Sequence, residues 1–163
     1  MTTAEPAARG TRISVAILVG GILLVAAPFF EWMRPPGELS RFRGLSGFSS
    51  FRGDAVFVIG VLVIIAGLLT IARRLRPGDP IQLVTGLVVT VLPLIATSFA
   101  IEFVLMMESL RDEIGTEFFP LTGIGVAVAL AGALVAFIAG LGLLLRATHI
   151  PEPGSVPEPD LVP

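Results

Sequence analysis

The sequence has no cysteine, lysine, asparagine or tyrosine, and one histidine, His149. Without cysteine there is no disulfide and no thiolate metal site. A lone histidine excludes the clusters that hold zinc, so no metal is expected. Charge is also scarce. Charged residues make up 15% of the chain, against about 25% in soluble domains. The net charge of −2 lacks the basic balance that nucleic acid requires, so no nucleic-acid partner is expected. No cofactor is expected either. Gly123-Ile124-Gly125 lies in an apolar run, without the strand and helix that phosphate-binding glycines need around them.

What is abundant is apolar. Hydrophobic residues make up 54% of the 163 residues, and the mean hydropathy is +0.91. Every basic side chain apart from His149 is Arg, and Ala, Gly, Val and Pro are frequent. That usage suggests a GC-rich bacterial genome. The length fits one domain.

Four long runs organise the chain. Residues 1–12 are polar and expected to be disordered. Ile13–Phe30 carries no charge over 18 residues, close to the roughly 20 that cross a bilayer core. A cleaved signal peptide is the competing reading, with Val25-Ala26-Ala27 as its small-residue site. Pro28 directly after the cut argues against it. The second run is Ala55–Ala72, the third Ile81–Ile101 and the fourth Leu121–Leu145. Between the second and third lies a loop, residues 73–80, with Arg73, Arg74 and Arg76 followed by Pro-Gly-Asp-Pro. Arginines hard against a span mark the cytoplasmic side, and the prolines stop one helix and start the next.

The expected fold is therefore all-α: an integral membrane four-helix bundle with N and C termini cytoplasmic. Six arginines (Arg9, Arg12, Arg73, Arg74, Arg76, Arg146) lie on the inner side of that plan and five on the outer. The inverted topology is the alternative, and the arginines closest to the span ends decide against it. The outer loops are 31–54 and 102–120. Residues 147–163 form a Pro-rich acidic tail, expected to be extended and disordered. The lipid bilayer is the first expected partner, in the plasma (inner) membrane of the cell as a multi-pass protein.

Details within the spans add expectations. Pro93 predicts a kink in helix three. Phe103, Met106, Met107, Leu110 and Ile114 recur near helical spacing, so that helix should continue past the bilayer as far as Gly115, a candidate stop. Helix four is about 37 Å long, against ~30 Å of hydrocarbon, and should tilt. It carries two stripes at four-residue spacing: Gly125, Ala129, Ala133, and Gly132, Ala136, Gly140. Such stripes let helices approach closely. They either pack inside the bundle or form an outward face for a homo-oligomer or a membrane-protein partner. Gly60 and Gly67 on helix two are candidates for the same seam.

The stretch from Pro28 to Asp54 is the most varied chemically. It holds the single Trp, four of eleven Arg and five of eleven Phe. Trp32 is expected at the outer interface, as an anchoring belt residue or a partner contact. Asp54 follows Gly53 and is expected to cap helix two. Phe42, Leu45, Phe48 and Phe51 recur every three residues as an apolar edge. The first outer loop is basic, through Arg34, Arg41, Arg43 and Arg52. The second is acidic, through Glu102, Glu108, Asp112, Glu113 and Glu117. The two are expected to dock, with Arg41 and Arg43 facing Asp112 and Glu113, although surface pairs contribute only about 0–1 kcal/mol each. Asp112 and Glu113 are adjacent on a helix, point apart and have no nucleophile beside them. A solvated acidic patch therefore fits better than an acid/base site, and no catalytic residue is assigned. Glu102, close to a span end, reads as an interfacial residue rather than an ion site.

The segment from Pro28 onward, with Pro28, Phe29, Trp32, Ser46, Gly47, Phe48, Gly53 and Asp54, resembles a group of small actinobacterial four-span membrane proteins. In that group a Leu-Pro-Trp-aromatic motif ends the first helix, and a Ser-Gly-Phe loop precedes the second. Here Pro28 is followed by Phe29-Phe30, and Trp32 comes late. The resemblance covers residues 13–72. It implies a membrane location and a four-span topology, and no activity. A structural or accessory membrane protein is the leading expectation. A small transporter or channel is the alternative, and a lipid or cell-envelope enzyme the third reading.

Overall fold

A computed structural model describes residues 5–34, 45–72, 80–114 and 121–148. Four helices make up its body: α1 (Glu5–Ala26), α2 (Phe51–Ala72), α3 (Pro80–Ile114) and α4 (Ile124–Thr148). All four are long and apolar enough to cross a membrane. Three short strands, β1 (Glu31–Arg34), β2 (Leu45–Ser46) and β3 (Leu121–Thr122), lie at the end where α1 stops and α2 and α4 begin.

The helix bounds follow local chemistry more closely than hydropathy. α1 starts at Glu5, eight residues before the apolar run and within the segment expected to be disordered. Pro6 sits in its first turn, where a missing N–H costs nothing. α1 stops at Ala26 and passes into a 3-10 turn over Ala27–Phe29, because Pro28 disfavours helical backbone at the residue before it. α2 begins at Phe51 rather than 55. Its cap is Ser50, whose Oγ accepts from the Gly53 N–H at 3.3 Å and donates to the Gly47 carbonyl at 3.0 Å. Asp54, expected as the cap, is exposed in the first turn and acts there only on the helix dipole. Pro80 opens α3 at a position that suits proline. α3 runs through Pro93 as one 35-residue helix. Gly115, the expected stop, lies outside the described residues. So do the 73–79 arginine loop, residues 1–4 and 149–163.

The all-helical expectation describes the body of the chain and needs one correction at its end, where the three strands form an antiparallel sheet in the order β2-β1-β3. β1 pairs with β2 through Glu31↔Ser46 and Met33↔Leu45, with an irregularity between them. It pairs with β3 through Met33↔Thr122 and Arg34↔Leu121. Residues 121 and 122, expected in span four, are thus in β3. Their backbone groups bond to β1 instead of to a helix turn.

The helices form a ring in which α1 touches α2 and α4, and α3 closes the ring by packing on α4 and on α2. Two adjacent glycines in α1 set its spacing to both neighbours. A Cβ on Gly20 would come within 2.7 Å of the Ala136 nitrogen in α4. A Cβ on Gly21 would come within 2.8 Å of Ile64 in α2. The facing residues are small too: a Cβ on Gly132 would meet Leu23 at 2.8 Å, and one on Gly60 would meet the Val25 nitrogen at 2.7 Å. Gly140 plays the same part against α3, 2.8 Å from the Val89 carbonyl carbon. Val89 is the residue whose carbonyl loses its usual donor to Pro93.

The core is accordingly built from small residues. Ala66, Ala96, Ala100, Ala129, Ala133, Ala136 and Ala139 are buried, alongside Ile17, Leu24, Val56, Val63 and Val89. The bulky side chains face outward. Val15, Val19 and Ile22 on α1, Leu62, Ile65 and Leu69 on α2, Leu87, Val91 and Leu94 on α3, and Leu134, Ile138 and Leu141 on α4 are each more than 40% exposed. At the end opposite the sheet, Thr70 Oγ1 lies 3.0 Å from Ser14 Oγ and donates to the Gly67 carbonyl at 2.6 Å. This is a buried polar tie between α1 and α2.

Candidate functional site: the sheet-capped end

At the capped end the chain places its one tryptophan inside the bundle. Trp32 is on the inward side of β1 and is 1% exposed. It was expected at the interface as a belt residue, and burial overturns that reading. The indole fits because its polar group is satisfied: Nε1 donates to the Ala27 carbonyl at 3.0 Å. That carbonyl lies where the 3-10 turn takes over from α1. The ring meets Phe103 of α3 edge to face, with centroids 5.3 Å apart.

Two glycines make room for the ring. A Cβ on Gly47 would come within 2.7 Å of Nε1, and a Cβ on Gly125 would press on the indole and on the Ala27 carbonyl. Trp32 therefore works as a plug. It seals the ring of helices where α1, α3 and α4 meet the sheet. The plug is held from both sides of the chain, because Gly123 N–H also donates to the Trp32 carbonyl at 2.8 Å.

The docking expected between the 31–54 and 102–120 segments lies mostly outside the described residues; backbone pairing joins β1, in the first segment, to β3, which follows the second. One ion pair adds to this. Arg52 Nε lies 3.7 Å from Glu102 Oε2, and Arg52 also points an Nη1 donor at Met106 Sδ, 3.8 Å away. Both are partly exposed, so the pair contributes at most about 1 kcal/mol. Arg41 and Arg43, expected to face Asp112 and Glu113, lie outside the described residues. Asp112 is exposed.

The Phe edge divides. Phe48 leaves it to stack on Phe29 at 4.9 Å and Phe57 at 5.6 Å, covering the junction of α1 and α2. Phe51 is 79% exposed and Leu45 53%. Phe42 lies outside the described residues. Beyond the cap, Phe103 and Met107 of the continued helix three are buried, while Met106 and Leu110 face outward.

The six small residues of helix four are all buried in the chain's own bundle. Gly125 receives Trp32, Gly132 and Ala136 receive α1, and Gly140 receives α3. Neither stripe is left as an outward face. Gly60 and Gly67 face α1 as well, Gly67 against Leu18 and Ile17. The Gly20-Gly21 pair, which sets the α1 spacing, was not singled out from sequence. The visible signal for it was two adjacent small residues at the middle of an apolar span.

The arrangement is an end closed by Trp32 and the sheet. The polar side chains buried among the described residues are Ser14, Thr70, Gln82 and Thr85. No group of three His, Asp or Glu able to hold a metal occurs among them. Comparison with protein-family models, with curated proteins and with solved structures finds no match.

Proposed function

We propose that this chain is a multi-pass protein of the plasma membrane, with both termini in the cytoplasm, and that it acts as a structural or accessory component beside another membrane protein. One observation carries the reading: the bundle's outside is covered with large apolar side chains while its helix contacts are rich in small ones. Alanine and glycine supply much of the inside, beside Ile17, Leu24, Val56, Val63 and Val89, while exposed valine, leucine and isoleucine cover the outside on all four helices. In water such an exterior would associate at once. In lipid it is the expected surface, and small inner residues are how helices gain contact there. The arginines of 73–76, with Arg9 and Arg12, support cytoplasmic termini.

The buried alanines and the Trp32 plug favour a component that presents a fixed surface over one that conducts a polar solute. The capped end, tied by three strands, is that surface. It would lie outside the cell, where a partner with an extracytoplasmic portion can reach it.

The chain has no cysteine of its own, so single introduced cysteines report topology cleanly. Leu45→Cys should react with a membrane-impermeant maleimide in intact cells, and Thr148→Cys only after lysis. The reverse pattern would overturn the orientation. Release of the protein from membranes at alkaline pH would overturn insertion. Recovery from mild detergent as a clean monomer with nothing bound would count against the accessory role.

A further inference from the structure

Beside the Trp32 plug, between the end of α1, the sheet and the start of α4, lies an open pocket of about 640 Å³. Its lining is part apolar, from Phe29, Phe30, Leu45 and Ile124, and part polar, from Glu31, Arg34, Ser46 and Ser49. The volume is that of a small-molecule site.

Three features say what fits. The first is depth. Phe29 is the last residue of the first apolar span, and Ile124 is the first of the fourth. The pocket therefore sits where hydrocarbon would give way to headgroups. The second is charge. Arg34 Nε and Glu31 Oε2 are 3.3 Å apart, with the side chains 58% and 36% exposed. An exposed pair of this kind is nearly neutral in free energy and opens easily to a competing ion pair. The site thus offers one cation and one anion side by side, with no net charge. The third is hydrogen bonding. Ser46 and Ser49 line the pocket, and their hydroxyls can donate to a phosphate.

We propose that the pocket holds the headgroup of a phospholipid bearing a primary ammonium, as in phosphatidylethanolamine. The phosphate binds Arg34 and the two serine hydroxyls. The ammonium binds Glu31 in place of Arg34, and the first acyl carbons lie against Phe29, Phe30, Leu45 and Ile124. A purely anionic headgroup would meet Glu31 with like charge. A trimethylammonium has no N–H to donate to it. The proposal rests on the membrane reading above.

The test is native mass spectrometry of the full chain in detergent, offered an equimolar mixture of phosphatidylethanolamine, its mono- and dimethyl forms, phosphatidylcholine and phosphatidylglycerol. The wild type should retain phosphatidylethanolamine roughly three- to tenfold over phosphatidylcholine and phosphatidylglycerol, as a charge-assisted hydrogen bond would give. Retention should fall along the methylated series. Glu31→Gln should remove the preference, and Arg34→Gln should weaken retention of every phospholipid. Unchanged Trp32 fluorescence would show each variant folded. Equal retention of all lipids by the wild type would overturn the proposal without any variant, as would a preference that survives Glu31→Gln. Alkaline extraction separates the two readings: a chain that stays in the membrane yet shows no preference sinks only the headgroup site, while a released chain sinks both.

Discussion

Gly125→Ala should loosen the capped end, and the size of the effect can be worked from the contacts. The added methyl presses on the Trp32 ring and comes within 2.8 Å of the Ala27 carbonyl oxygen. Neither neighbour can yield freely, since the ring is wedged between Gly47 and Phe103, and the carbonyl belongs to the turn after α1. Overpacking of this kind costs about 1–3 kcal/mol. If the indole tips away, its Nε1 hydrogen bond to Ala27 goes with it, adding about 1–3 kcal/mol for a buried donor left unpaired. Alanine's higher helix propensity returns at most ~1 kcal/mol, less in the first turn of α4. The net loss is about 1–5 kcal/mol. Gly142→Ala is the control. Its methyl would find nothing nearer than Ile13 at 3.7 Å, so it should be neutral or stabilising by up to ~1 kcal/mol. Thermal unfolding in detergent reads the stability. Trp32, the single tryptophan, reports the site directly, because displacement should red-shift its emission and open it to acrylamide. Trp32→Ala removes the clashing ring, so the double variant should lose less than the sum of the two single ones. Additive losses, or a Gly125→Ala protein with unchanged melting and emission, would refute the plug.

Ser50→Ala should cost about 1 kcal/mol by uncapping α2, and Asp54→Ala only a few tenths through the helix dipole; chemical unfolding in detergent ranks the two, and the opposite order would restore Asp54 as the cap. Gly132→Ala should part α1 from α4, since its methyl meets Leu23 and the Gly20 carbonyl within 2.9 Å; the expected loss is about 1–3 kcal/mol, read by thermal melting. Thr70→Val should cost about 0.5–1.5 kcal/mol by breaking the buried link to Ser14, with faster amide exchange at the Arg12 end of α1 as the local signature.

The spans were legible because an apolar run of 18 or more residues leaves the backbone one common solution, the helix. Helix four's stripes were legible as packing residues for the same kind of reason: a repeat of four places Gly132, Ala136 and Gly140 on one side whatever lies there. Which side faces inward was not legible. It depends on the partner helix, and Gly20, the residue facing Gly132 and Ala136, carries no periodic signal of its own. The cap was misread for a related reason. Asp54 and Ser50 are both good capping types, and the choice turned on α2 starting one turn earlier than hydropathy indicated.

The sheet had almost no signal in the sequence. β2 and β3 are two residues each, too short for alternation to appear, and β1 meets β3 only through chain closure with a segment far along the sequence. Once β1 is fixed between them, its pairing sets where Glu31 and Trp32 point, with an irregularity between Glu31 and Met33. Glu31 is half-buried at the rim, and Trp32 beside it is buried in the opening of the helix ring. A tryptophan next to a span end reads as an interfacial anchor only while the chain around it is taken as a loop. In a strand its direction is set by pairing, and the pairing directs it inward. Glu31 lies near Arg34 at the rim of the pocket. The residue that seals the bundle and the residue that gives the pocket its anionic side are therefore neighbours in sequence, placed by one strand register. A one-residue slip of β1 against β3 would exchange them, burying a carboxylate and exposing the indole. The plug and the pocket therefore stand or fall with the register of β1.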